Sequence, residues 1–169
     1  MTRFKTGYLL AGYLTAVLFL TGCATNPFAG HLPPDLDRSI TPQQVISGPE
    51  TLHGQWVLWG GTIVTVHNLK DSTEVAVLAY PVEKSGYPKT SQQASGRFII
   101  RYGGFLDPVD YAPGRAVSVL GRVDGVQQGK IGEAPYTFPV IQADYLHLWR
   151  PGDSPSSHVL FGIGVGVGL

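Results

Sequence analysis

Gln55-Trp56-Val57-Leu58-Trp59-Gly60-Gly61-Thr62-Ile63-Val64-Thr65-Val66-His67 is the stretch whose reading decides the fold. After the glycine pair, apolar and polar residues alternate, as they do in a strand with one buried face. Two glycines inside such a run predict a bulge or a sharp bend, because glycine takes the backbone angles a bend demands. Asn68 to Ser72 reads as a turn, and Thr73-Glu74-Val75-Ala76-Val77-Leu78-Ala79-Tyr80 returns as a second strand ended by Pro81. A loop through Ser85-Gly86-Tyr87-Pro88 and on to Ser95 leads into a third strand, Arg97 to Tyr102, closed by Gly103-Gly104. Ala116 to Val123 is a fourth, its odd-numbered valines sharing one face. Asp124-Gly125 is a turn signal, followed by a short return strand or edge at Lys130-Ile131-Gly132. Phe138 to Trp149 is the final core strand, with Pro139 tolerated only near its start or on an edge.

Five or six short strands with glycine bends predict an all-β chain, a small antiparallel OB-like β-barrel in which one sheet turns corners at glycine and closes on itself. An open sandwich is the alternative. Upstream, Thr41-Pro42-Gln43-Gln44 starts a short N-terminal helix. Thr41 caps it, Pro42 takes the first position, where no amide hydrogen is needed, and Gln44 completes a capping box. Gly48-Pro49 ends the helix. Ala24 to Pro34 carries Asn26-Pro27 and Pro33-Pro34, which forbid regular structure and predict an extended tether.

The amino terminus has its own pattern. Arg3 and Lys5 precede a run from Gly7 to Leu20 of small, apolar or aromatic residues plus Thr15. That run has the length of a signal-peptide core and falls short of the ~20 apolar residues of a membrane-spanning helix. Leu20-Thr21-Gly22-Cys23 follows and resembles the lipobox of bacterial lipoproteins. The resemblance implies recognition of Leu20, Thr21 and Gly22 by the signal peptidase, cleavage before Cys23, and acylation there. Cys23 is the only cysteine in the sequence. Two or three acyl chains, at roughly 0.8 kcal/mol per buried CH₂, make a stable anchor. The expected organisation is therefore a signal peptide at 1–22, acylated Cys23 and tether at 23–40, the barrel domain at 41–150, and a glycine-rich tail at 151–169.

Composition narrows the function. Without Arg3 and Lys5, ten basic residues face twelve acidic ones, a formal charge of about −2. Such a chain lacks the electrostatic footprint of a nucleic-acid binder. Position 24 is Ala rather than Asp, which by the lipoprotein resemblance directs the protein to the periplasmic leaflet of the outer membrane.

The segment from Gly54 to Trp149 also resembles a family, the Slp family of starvation-inducible outer-membrane lipoproteins. The resemblance rests on Trp59-Gly60-Gly61-Thr62-Ile63, Thr73-Glu74-Val75, Gly96-Arg97-Phe98 and, most specifically, Gly104-Phe105-Leu106-Asp107-Pro108 with Tyr111. Gly121, Gly125…Gly129 with Ile131-Gly132, and Pro135-Tyr136 leading to Trp149 continue it. No family pattern is evident past Arg150. The resemblance implies a non-enzymatic acylated envelope protein, with a role under starvation or in stationary phase, and supplies no catalytic residue.

Chemistry-bearing motifs are scarce. Asp107 and Asp110 are close in sequence, but Asp107-Pro108 suits turn initiation, with Phe105 and Tyr111 clamping the turn into the barrel. His31, His53, His67, His147 and His158 show no metal-ligand spacing. There is no Gly-x-Ser-x-Gly and no phosphate-cradling loop. No metal and no cofactor are expected beyond the covalent lipid on Cys23. Trp56, Trp59, Phe98, Tyr102, Phe105, Tyr111, Tyr136 and Trp149 either fill the barrel or line a groove for an apolar molecule or a glycan. The tail from Phe161 to Leu169 alternates glycine with apolar residues, which suits contact with lipid or a protein partner. Expected partners are thus the membrane, through the anchor, and an envelope protein.

Overall fold

The computed structural model describes residues 26–153. Its first strand, β1 (Trp56–Asn68), is continuous through the glycine pair. β2 (Thr73–Tyr80) and β3 (Arg97–Tyr102) follow. β4 (Ala116–Ile131) and β5 (Ala134–Leu148) form a long hairpin. The strands close in the order β1-β2-β3-β5-β4 and back to β1, an all-β barrel of five strands. Contrary to the purely antiparallel expectation, β3 and β5 run parallel, Ile99 to Arg101 beside Val140 to Gln142. β5 thus lies between β4, its hairpin partner, and β3, and this parallel pairing together with β4 on β1 closes the sheet.

The glycine pair does not make the bulge. Pairing is regular on both sides of Gly60 and Gly61, and the register slips only between Ile63 and Thr65. From Gly60 to Thr62 the strand pairs with β2 on one side and β4 on the other. The coil there is so tight that a Cβ on Gly61 would lie 2.0 Å from the Leu78 carbonyl oxygen. Gly121 meets the same limit 2.2 Å from the Gln142 carbonyl oxygen. Close backbone approach demands glycine at both positions, in regular pairing at Gly61 and beside a register slip between Leu120 and Gly121 at the other.

Asp124-Gly125 is likewise not a turn. It lies inside β4, where the register against β5 slips between Val123 and Gly125 and Gly125 takes a φ of +104°. A glycine with positive φ serves a bulge as readily as a turn, so the dipeptide alone does not separate them. The hairpin turns later, at Gly132-Glu133, between Ile131 and Ala134. Pro139 sits opposite Val126, one residue before β3 joins β5 at Val140, so its missing amide hydrogen breaks no ladder on that side.

Up to the register slips after Ile63 and Val123, the odd-numbered residues of β1, β2 and β4 point inward, among them Val57, Val75, Val77, Val117, Val119 and Val123, each at most 1% exposed. Val45 of α1 (Pro42–Ser47) joins this core; α1 packs on β4 and β5, and α2 (Pro49–Leu52) packs on β4. The capping box forms as expected: the Thr41 amide donates to Gln44 Oε1 at 2.7 Å and the Gln44 amide to Thr41 Oγ1 at 3.4 Å. Where β1 ends, Leu106 enters the core, its amide donating to Asn68 Oδ1 and to Thr73 Oγ1, both at 3.3 Å.

Candidate functional site

The chain from Asn26 to Ile40 is not an extended tether. Asn26 Oδ1 accepts the Phe28 amide at 2.9 Å and its carbonyl accepts the Ala29 amide at 3.1 Å, a turn that drives the Phe28 ring inward. Phe28 is fully buried on the outside of the barrel, clustered with Leu58, Leu120 and Trp149. Its ring meets Tyr145 edge-on at 5.3 Å and His147 at 6.1 Å. Gly86 lies beneath it: a Cβ there would sit 2.7 Å from the ring, and its φ of +90° already favours glycine. Ser118 locks this layer to β4, donating to the Gly86 carbonyl at 2.6 Å and accepting from Trp149 Nε1 at 2.9 Å. His31 stacks on Tyr145 at 4.2 Å. His147 lies against the Phe28 and Trp149 rings, and burial there pulls its pKa below the usual value, opposed by the charge of Asp153.

Beside this layer, between residues 38–42 and the stretch formed by β1, the end of β2 and residues 81–84, lies a cavity of about 330 Å³. Ile40, Pro42, Leu58, Trp59, Ala79 and Val82 are among the residues that line it, and Arg38, Glu83 and Lys84 carry its charge. Trp59 Nε1 donates to the Ile40 carbonyl at 2.8 Å, and its ring meets Phe98 edge-on at 5.2 Å inside the barrel. Arg38 Nη2 and Asn26 Nδ2 both reach the Lys84 carbonyl, at 3.4 Å and 3.5 Å. The volume falls at the small end of the range for small-molecule sites.

The aromatic residues do not form one groove. Trp59 and Phe98 are inside the barrel, Trp149 is on its outer face, and Tyr136 packs on Phe138 in a separate cluster along the β4–β5 hairpin. Trp56 is half-buried under the Arg122 guanidinium, 4.2 Å from its ring centre. Of this set only Trp59 lines the cavity. Phe105 does not clamp its turn: it is 71% exposed, and Leu106 takes the inward position. Tyr111 does pack against the core, and burial raises its phenol pKa, with Tyr102 and Asp110 adding to the effect. Asp107 is occupied as a turn residue, its carboxylate accepting the Val109 amide at 2.8 Å. Among the described residues no group of three His, Cys, Asp or Glu side chains is placed to hold a metal. Leu20, Thr21, Gly22, Cys23 and the tail from Phe161 lie outside the described residues. Sequence reasoning missed Phe28, Gly86 and Ser118. The one available signal was a lone large aromatic in an otherwise Pro-, Gly- and Asn-rich stretch.

A model of the outer membrane lipoprotein Slp family matches residues 20–161. The chain belongs to the Slp family. The match begins at the tetrapeptide that ends in Cys23 and runs beyond Arg150, so it takes in the docked N-terminal layer and the start of the tail, further than the Gly54–Trp149 resemblance indicated. The lipoprotein YeaY of Escherichia coli K12, described as uncharacterized, is 37% identical over 84% of this chain and 72% of its own length. An uncharacterized protein of Haemophilus influenzae is 36% identical over 81% of this chain and 74% of its own. The outer membrane protein Slp of E. coli K12 is 30% identical over 81% of this chain and 72% of its own. The family is one of outer membrane lipoproteins, and the Slp relative is an outer membrane protein. Among the described residues no helix is long and apolar enough to cross a membrane.

Proposed function

We propose that this Slp-family chain is anchored by acyl groups on Cys23 to the periplasmic leaflet of the outer membrane. It acts there without catalysis, as a rigid barrel serving envelope maintenance under starvation or stress. The observation that carries the reading is the burial of Phe28 only five positions after Cys23. A chain docked from Asn26 onward leaves three residue steps between anchor and barrel, at most about 11 Å of reach. A long flexible linker would suit a domain that searches for distant partners; this one is held at the lipid surface. The catalytic alternative has little support, since Asp107 is engaged in its turn. Cys23→Ser should leave an unprocessed precursor that fails to fractionate with the outer membrane, and cells carrying it should survive stationary phase as poorly as a deletion strain. Normal outer-membrane fractionation of Cys23→Ser refutes the anchor. A second reading, a binding module for an apolar molecule, is favoured by the cavity at Trp59.

A further inference from the structure

We infer that the cavity between Arg38–Pro42 and the β1–β2 strands takes a segment of a single acyl chain whose anionic headgroup rests on Arg38 and Lys84. The inference deepens the second reading above and rests on the Cys23 anchor only for where the ligand comes from.

The lining selects hydrocarbon over sugar. A glycan site needs several free polar groups converging on the ligand, and here most of the neutral ones are already committed. Trp59 Nε1 donates to the Ile40 carbonyl at 2.8 Å, Thr41 Oγ1 is held in the capping box with Gln44, and Ser95 Oγ donates to the Ala79 carbonyl at 3.5 Å. What remains facing the space is mostly apolar, Ile40, Pro42, Leu58, the Trp59 ring, Ala79 and Val82, with Tyr80 the one neutral residue there whose polar group is not so engaged. At about 330 Å³ the cavity suits part of one chain rather than a two-chain lipid.

The rim selects an anion. Arg38 and Lys84 are exposed and tied together through the Lys84 carbonyl, and Glu83 beside them leaves one net positive charge. Arg38 offers the planar donor pair that matches a carboxylate or a phosphate. The rim also meets the first described residue: Asn26 Nδ2 contacts the Lys84 carbonyl at 3.5 Å, and Cys23 comes three residues earlier in sequence, at most about 11 Å of chain. A fatty acid and a lysophospholipid share the required chemistry, one acyl chain under an anionic head.

The test uses the full-length acylated protein in lipid nanodiscs doped with palmitate-length probes bearing a mid-chain diazirine and one of three heads: carboxylate, phosphate ester or trimethylammonium. After irradiation, adducts are mapped by peptide mass spectrometry. Labelling should concentrate on Leu58–Gly60 and Ala79–Val82 and be about fivefold stronger for an anionic head than for the cationic one. The better of the two anionic heads identifies the source, fatty acid or lysophospholipid. Arg38→Glu with Lys84→Glu, both at exposed positions, should invert the head preference, and Ser95→Phe at the mouth should reduce labelling with every probe. Adducts spread over the outer strands irrespective of head, or unchanged in both variants, overturn the inference. The intact mass of the same sample reports whether Cys23 carries lipid, so loss of the anchor and loss of the site are read separately.

Discussion

The inside of the barrel and the layer on its outer face are both apolar and both buried, yet they are built by different rules. Inside, every second residue of β2, and of β1 and β4 up to their register slips after Ile63 and Val123, faces the core, and neighbours in space are neighbours in the strand register. On the outer face, Phe28, Leu58, Gly86, Leu120 and Trp149 come from five separate stretches and meet only when the chain is folded. The first is a repeating pattern that specifies a shape. The second is a one-off assembly that fixes the amino-terminal chain.

The comparison can be broken from either side, and the inside is the less forgiving. Gly61→Val would force a Cβ to within 2.0 Å of the Leu78 carbonyl oxygen, in backbone that cannot yield without opening the β1–β2 ladder. Cooperative unfolding in urea should be lost altogether for this variant, whereas Gly54→Ala, in open space although at positive φ, should still give a folded barrel. Phe28→Ala comes next. It should cost about 3 kcal/mol, within the range for truncating a buried aromatic, and make 26–38 accessible to protease while the barrel stays folded. A variant that instead unfolds as one unit would show that outer layer and core are inseparable. Ser118→Ala removes the partner shared by the Gly86 carbonyl and Trp149 Nε1, and should cost about 2 kcal/mol in the same urea titration.

The smallest effect concerns pH. Burial lowers the His147 pKa, so in the window just below the ordinary value of 6.5 the unfolded chain binds more protons than the native one. Stability contributed by this site is therefore complete above that value and declines as pH falls through it. Melting temperature should drop slightly from neutral pH towards pH about 5, and His147→Phe should flatten that part of the profile. Because His147 is only partly buried and Asp153 opposes the shift, the drop should be smaller than any of the mutational effects above.

The same contrast explains what could be read from the sequence. β2 and the first half of β4 were legible because alternation is a local signal that survives without knowledge of partners. The Thr41 cap was legible for a similar reason, since its reciprocal bonds span three residues. Asp124-Gly125 reads as a turn signal, but bulge and turn ask for the same positive-φ glycine, and only the continuation of β4 to Ile131 decides between them. Phe105 and Leu106 lie in a loop with no period, so which of them points inward depends on Asn68 and Thr73 far along the chain. Phe28 was hidden by its setting. Prolines and glycines around it predict irregular backbone, and irregular backbone was equated with a free tether, although a turn can dock a side chain as firmly as a strand can. The cavity depends on that docked segment and could not be seen before it.

The central claim is that the barrel is held against the lipid surface at the side bearing Asn26, Arg38 and Lys84. It is tested most directly by placing the acylated protein in nanodiscs with paramagnetic headgroups and measuring relaxation enhancement at backbone amides. The account predicts strong broadening around Asn26, Arg38 and Lys84 and little at the exposed Leu69 and Phe105. Uniform broadening over the whole barrel, or the strongest broadening at Leu69 and Phe105, would contradict it.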